Sequence, residues 1–223
     1  MTEQQWLTCS KATLPVLDWL HRQGTERKFY LAGAAAVRHV WDQLPHQLFR
    51  DLIAIVERYA DRQASREELS RAYRKADQDS VKRYFALPDQ GRRLTPATRR
   101  AAAARAATFA AMPGGGWEAG TSALVEVLRT GKRADIWPWQ CAMLRDLFGN
   151  PFRPVAIHPA WSTSTVTSLA QGIYDDRAFD RMPILADALE DAGCTSTEIL
   201  EHCRSGNEHV RGCWVVDLVL GKE

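Results

Sequence analysis

Long apolar runs are missing from this chain of 223 residues. No stretch reaches the roughly 20 consecutive apolar residues that a membrane-spanning helix needs, so none is expected to cross a bilayer. The opening MTEQQWLTCSKATLP lacks the basic region and apolar stretch of a secretory leader. Cysteine is scarce and odd in number, five in all, which does not suit a disulfide framework. Together these absences lead to the expectation of a cytoplasmic protein in a reducing compartment. Catalytic signatures are absent as well. There is no G-x-S-x-G, no glycine-rich phosphate loop ending in Lys-Ser/Thr, and no H-E-x-x-H. Alternating apolar and polar residues, the mark of half-buried strands, are almost lacking, and no unit recurs at a constant period.

What is present is helical. Thr2 with Gln5, Ser65 with Glu68 and Thr195 with Glu198 have capping-box spacing. Pro15, Pro45, Pro96 and Pro183 fall near helix starts, where a missing N–H costs least. Apolar residues recur at helical spacing over 25–44, 45–62 and 69–76, and TPATRRAAAARAATFAAM is a strong helix former. PGGGWEAG (113–120) is expected to break the pattern. Three prolines in NPFRPVAIHPAW forbid a continuous helix and predict an extended connector over 148–164. The fold class is therefore all-α, a multi-helix bundle or irregular stacked helix pairs. An N-terminal helical region (1–147) and a C-terminal one (165–223) flank the connector, either as two parts or as one continuous domain.

The C-terminal EHCRSGNEHVRGCWVVDLVLGKE concentrates soft ligands. Between Asn207 as N-cap and Gly221 as C′ residue it reads as one helix, which puts His209 and Cys213 on one face. A metal clamped by Cys194, His202, His209 and Cys213 is conceivable, and zinc suits such donors. The spacing is unlike common zinc modules, because seven residues separate Cys194 from His202. The competing reading makes Cys194, Cys203 and Cys213 small buried hydrophobes, with no cofactor, and has His209 satisfy a helix terminus. Cys213 and Trp214 then join Val216, Leu218 and Leu220 in an apolar face, with Asp217 at its edge.

Net charge is only +2, but the charges are segregated. Lys82, Arg83, Arg92, Arg93, Arg99, Arg100 and Arg105 cluster against Asp89 alone, while 175–201 is acidic. The basic segment is either a solvated helix face or a nucleic-acid contact, with Tyr84 and Phe85 available for stacking. Hydroxyls in WSTSTVTS read as caps, and Asp175, Asp176 and Asp180 as a solvated turn with Asp180 as N-cap. Trp137, Trp139, Phe152 and Trp161 either pin the connector by packing or line a groove for a protein partner.

VERYADRQASREEL, LFGNPFRPV, AQGIYDDRAFDRMPILADALEDAGC and HVRGCWVVDLVLGK together resemble a large paralogous family of uncharacterised proteins from planctomycete bacteria. The resemblance covers most of the chain and is strongest over Leu147 to Lys222. It implies a bacterial, cytoplasmic protein and supplies no activity. Members often carry cysteines in the second helix, where this chain reads LAGAAAVRHVW, so no cysteine role carries over there. The resulting expectation is a non-enzymatic helical interaction or regulatory protein with a protein partner. Its alternatives are a nucleic-acid-associated protein using residues 82–105, and a metalloprotein or enzyme built on the C-terminal cysteines and histidines.

Overall fold

Helix caps set where the backbone turns. The computed structural model describes residues 1–87 and 94–222, and among them it holds twelve α-helices, three short 3-10 turns and no strand. The all-α expectation holds. In order the helices are α1 (Glu3–Leu7), α2 (Leu14–His21), α3 (Glu26–His39), α4 (Gln47–Ala60), α5 (Arg66–Phe85) and α6 (Pro96–Ala110). They continue as α7 (Gly116–Val127), α8 (Arg133–Phe148), α9 (Ser164–Asp176), α10 (Met182–Asp191), α11 (Thr197–Arg204) and α12 (Trp214–Leu220).

Local chemistry explains most of the starts. The Thr2 amide donates to Gln5 Oε1 at 2.9 Å and the Gln5 amide to Thr2 Oγ1 at 3.2 Å, a reciprocal box. Thr95 and Thr98 make a second one at the head of α6. Ser65 Oγ accepts the Glu68 amide at 3.1 Å. At α11 the cap sits one residue later than the spacing predicts, because Ser196 rather than Thr195 takes the Ile199 amide. Pro15, Pro96 and Pro183 all lie in first turns.

The chain divides into two units, one of Met1 with Thr8–Ala142 and one of Thr2–Leu7 with Met143–Glu223. The division falls within α8, not at the connector. Val155, Ile157 and Trp161 of the connector pack on the core of the second unit, so the connector belongs to that unit. Residues 2–7 join it too: the Trp6 indole donates to the Gly149 carbonyl at 3.0 Å, and Glu3 pairs with Arg153 at 2.7 Å.

In the first unit, α6 is buried on almost every side, with Ala101–Ala104, Ala106, Ala107 and Ala110 all in the core. A helix apolar all round belongs inside. Small residues let α3, α6 and α7 approach closely. A Cβ at Gly33 would meet Ala110 Cβ and Gly120 Cα at 3.2 Å, and one at Gly120 would collide with the Phe29 carbonyl oxygen. Hence PGGGWEAG breaks the chain only before Gly116; Gly116 and Gly120 lie inside α7, where they serve contact with α3.

The second unit packs α9 to α12 around Val166, Ile173, Tyr174, Leu185, Leu189 and Val216. Here the continuous helix expected over 207–221 is not formed. Residues 205–213 are irregular, with Gly206 at φ +66° and Gly212 at φ +93°, and α12 starts only at Trp214. Positive φ at Gly212 is incompatible with a right-handed helix, which is why His209 and Cys213 share no helical face.

Candidate metal centre

Three separate segments meet inside the second unit. Asp146 comes from the last turn of α8, His202 from α11, His209 from the loop after it, and Cys213 from the N-cap position of α12. One donor atom of each lies within 4.8 Å of all the others, so the group could hold a metal ion. Asp146 Oδ1 is 2.6 Å from His209 Nδ1 and 3.2 Å from His202 Nε2. Cys213 Sγ is 3.1 Å from His202 Nε2 and 3.8 Å from His209 Nδ1. The cluster is largely enclosed: Asp146 and His209 are buried, Cys213 is wholly so, and the His202 side chain keeps 18% exposure.

The loop is built to deliver these groups. Ser205 Oγ donates to the His202 carbonyl at 2.9 Å and accepts the Asn207 amide at 3.3 Å, turning the chain out of α11. The Val210 amide then donates to Asp146 Oδ2 at 2.9 Å, fastening the loop to α8. The Cys213 amide closes on the Val210 carbonyl at 2.9 Å and brings the thiol back toward the histidines.

Without an ion, the protons are placed by hydrogen-bond logic. The Trp214 indole can only donate, and it lies 3.0 Å from His202 Nδ1. Nδ1 is therefore the bare nitrogen, and the ring proton sits on Nε2, facing Asp146 and Cys213. His209 donates from Nδ1 to Asp146, which leaves its buried Nε2 with no hydrogen-bond partner among the described residues. Burial presses the Asp146 carboxyl upward. Hydrogen bonds from His202 and His209 outweigh that and hold it below the ordinary carboxylate range. Burial and the Asp146 charge push the Cys213 thiol well above its usual value, so it stays neutral without a cation.

Metal–ligand bonds of about 2.0–2.3 Å in a tetrahedron place donors about 3.3–3.7 Å apart. The edges at 3.1 and 3.2 Å fall just short of this span and the one at 3.8 Å just beyond it. The 2.6 Å edge is a hydrogen-bond length and must widen once its proton leaves. A cation at His202 Nε2 also moves that ring's proton to Nδ1, so the half-buried Trp214 indole has to turn away. The donor set could hold a metal, at the cost of two rearranged contacts.

Cys194, part of the ligand set expected from sequence, is not in this cluster; it is a buried core residue together with Cys203. Burial and the neighbouring Cys194 push the Cys203 thiol up to about 12, as befits an inert core cysteine. Asp146 takes the place foreseen for Cys194. Its signal was a carboxylate within the apolar stripe of α8, between the buried Met143, Leu144 and Leu147. Asp217, expected at the edge of the α12 face, is buried at 2% exposure. Val215, Val216 and Val219 form the inner face, while Trp214, Leu218 and Leu220 are only half-buried. Asp180 is an exposed member of a 3-10 turn and caps nothing; the residue before α10 is Arg181.

Arg92 and Arg93 lie outside the described residues. Arg83 pairs with Asp79 and contacts His46. Arg105 lies over Tyr84 at 4.6 Å and 3.5 Å from the buried Glu126. Lys82, Arg99 and Arg100 remain exposed. Of the aromatic candidates, Trp139 stacks on His39 at 3.8 Å, Trp137 lies under Lys11 at 5.5 Å, and Trp161 packs on the second core. Phe152 is 37% exposed. Among the described residues no helix is long and apolar enough to cross a membrane. Compared with family models, with curated protein sequences and with solved structures, the chain finds no match.

Proposed function

We propose that the second unit is a metal-stabilised helical module, holding zinc through Asp146, His202, His209 and Cys213, and that the chain serves as a non-enzymatic platform for a protein partner. One observation carries the metal reading: four donor atoms from three segments of the chain converge within 4.8 Å inside a core. Two imidazoles, a thiolate and a carboxylate are donors zinc accepts, and four protein ligands complete its usual tetrahedron. A closed set of this kind stabilises a fold, since metal binding is coupled to folding. The platform role rests on the helical architecture and on the absence of catalytic signatures from the sequence.

A second reading is favoured by two specific contacts. The Trp214-to-His202 hydrogen bond and the 2.6 Å Asp146–His209 distance suit a metal-free polar lock, in which the carboxylate takes N–H donors from His202, His209 and the Val210 amide. Elemental analysis of the purified protein separates the two. Zinc at one equivalent, lost with chelator together with a fall in thermal stability, supports the first. Metal-free protein whose melting is unmoved by added zinc supports the lock. Mass spectrometry of what copurifies with the tagged chain from its own host tests the platform role, and recovery of the chain alone would count against it.

A further inference from the structure

Two cysteines far apart in sequence meet in the first unit. Cys9 lies between α1 and α2 and Cys141 within α8, 132 positions apart, yet their sulfurs approach to 3.2 Å. Cys141 is buried at 1% exposure while Cys9 is half-buried. One sulfur is thus open to a dissolved oxidant and the other waits behind it. A disulfide bond is about 2.05 Å long, so closure asks for roughly 1.2 Å of approach, within the reach of side-chain rotation. The Cys9 thiol also reaches the Lys11 carbonyl at 3.3 Å, a local contact given up on turning toward Cys141. The other three cysteines are buried in the core of the second unit.

We propose that Cys9 and Cys141 are a dithiol pair that oxidises to an intrachain disulfide, pinning the segment between α1 and α2 to α8. With glutathione disulfide as oxidant, the Cys9 thiolate attacks one of its sulfurs and expels a glutathione thiolate. The Cys141 thiolate then attacks Cys9 Sγ, and the second glutathione thiolate leaves. Two protein thiols are oxidised, one glutathione disulfide is reduced, and the two thiol protons end on the two glutathiones. The half-buried Cys9 takes the mixed-disulfide role and the buried Cys141 resolves it, an order set by access.

The test treats the full chain with glutathione disulfide and maps the cysteines by mass spectrometry of a non-reduced digest. The expected product is a single cross-linked pair of peptides carrying Cys9 and Cys141, with both thiols lost to alkylation and regained after dithiothreitol. Cys141→Ser should leave Cys9 glutathionylated, and Cys9→Ser should leave Cys141 unmodified. Wild-type protein that stops at glutathionylated Cys9, stays fully reduced, or bridges through Cys194, Cys203 or Cys213 overturns the proposal. The wild-type map alone decides it, so a variant that fails to fold changes nothing.

Discussion

Cys213 and Trp214 are neighbours with opposite expectations. Trp214 is half-buried, so Trp214→Ala should cost about 2 kcal/mol, less than the roughly 3–5 kcal/mol of a fully buried tryptophan. Cys213→Ala in a metal-free lock should cost about 1 kcal/mol. If zinc is held there, losing the thiolate forfeits part of a binding energy of order 10 kcal/mol, and Cys213→Ala becomes the costlier change at roughly 3 kcal/mol or more. Chemical denaturation of both variants gives the ranking. Proton linkage supplies a second check. The Cys213 thiol is raised and neutral, so an ion must displace its proton. Apparent zinc affinity should therefore rise about tenfold per pH unit for that one proton, and calorimetry in buffers of different ionisation enthalpy should register its release. Asp146 runs the other way in chelator-treated protein. Its depressed native value adds stability that is present above the ordinary carboxylate range near 3.9 and lost as pH falls through the native value. Thermal melts from pH 5 downward should show that loss, and Asp146→Asn should flatten it.

Among elements, the close crossing of α3 and α7 is the most exacting contact. Gly120→Ala would drive a Cβ against the Phe29 carbonyl oxygen and force the helices apart, so it should cost more than about 2 kcal/mol. Gly114 has open space around it, so Gly114→Ala should be neutral or stabilise by up to about 1 kcal/mol. Urea denaturation of the pair tests this, and equal effects would refute the crossing. The caps of α1 and α5 were legible from spacing because a cap is settled within four residues. The end of the chain was not legible in that way. Its apolar periodicity suits a helix from 207, but Gly206 and Gly212 at positive φ break it, and their conformation answers to the need to bring Cys213 back to His202.

For the whole molecule, charge in the sequence is a poor guide to charge on the surface. Arg99 and Arg100 are exposed, so changing both to Gln should leave stability within about 1 kcal/mol. Arg105→Gln should cost more, because it removes the guanidinium beside buried Glu126 and its packing on Tyr84 and Phe109. A gel shift lost at raised salt in the wild type, and absent from the Arg99 and Arg100 variant, would instead support the nucleic-acid reading. What the sequence by itself determined was helix content, several helix starts, the connector and the concentration of His202, His209 and Cys213 near the end of the chain, because each rests on neighbours a few residues away. Only tertiary structure decided that Asp146, 63 positions before His209, completes the cluster and that Cys194 does not. The folding of α8 against the 205–213 loop selects those partners, since a buried carboxylate must find donors and a cysteine in an apolar core need not.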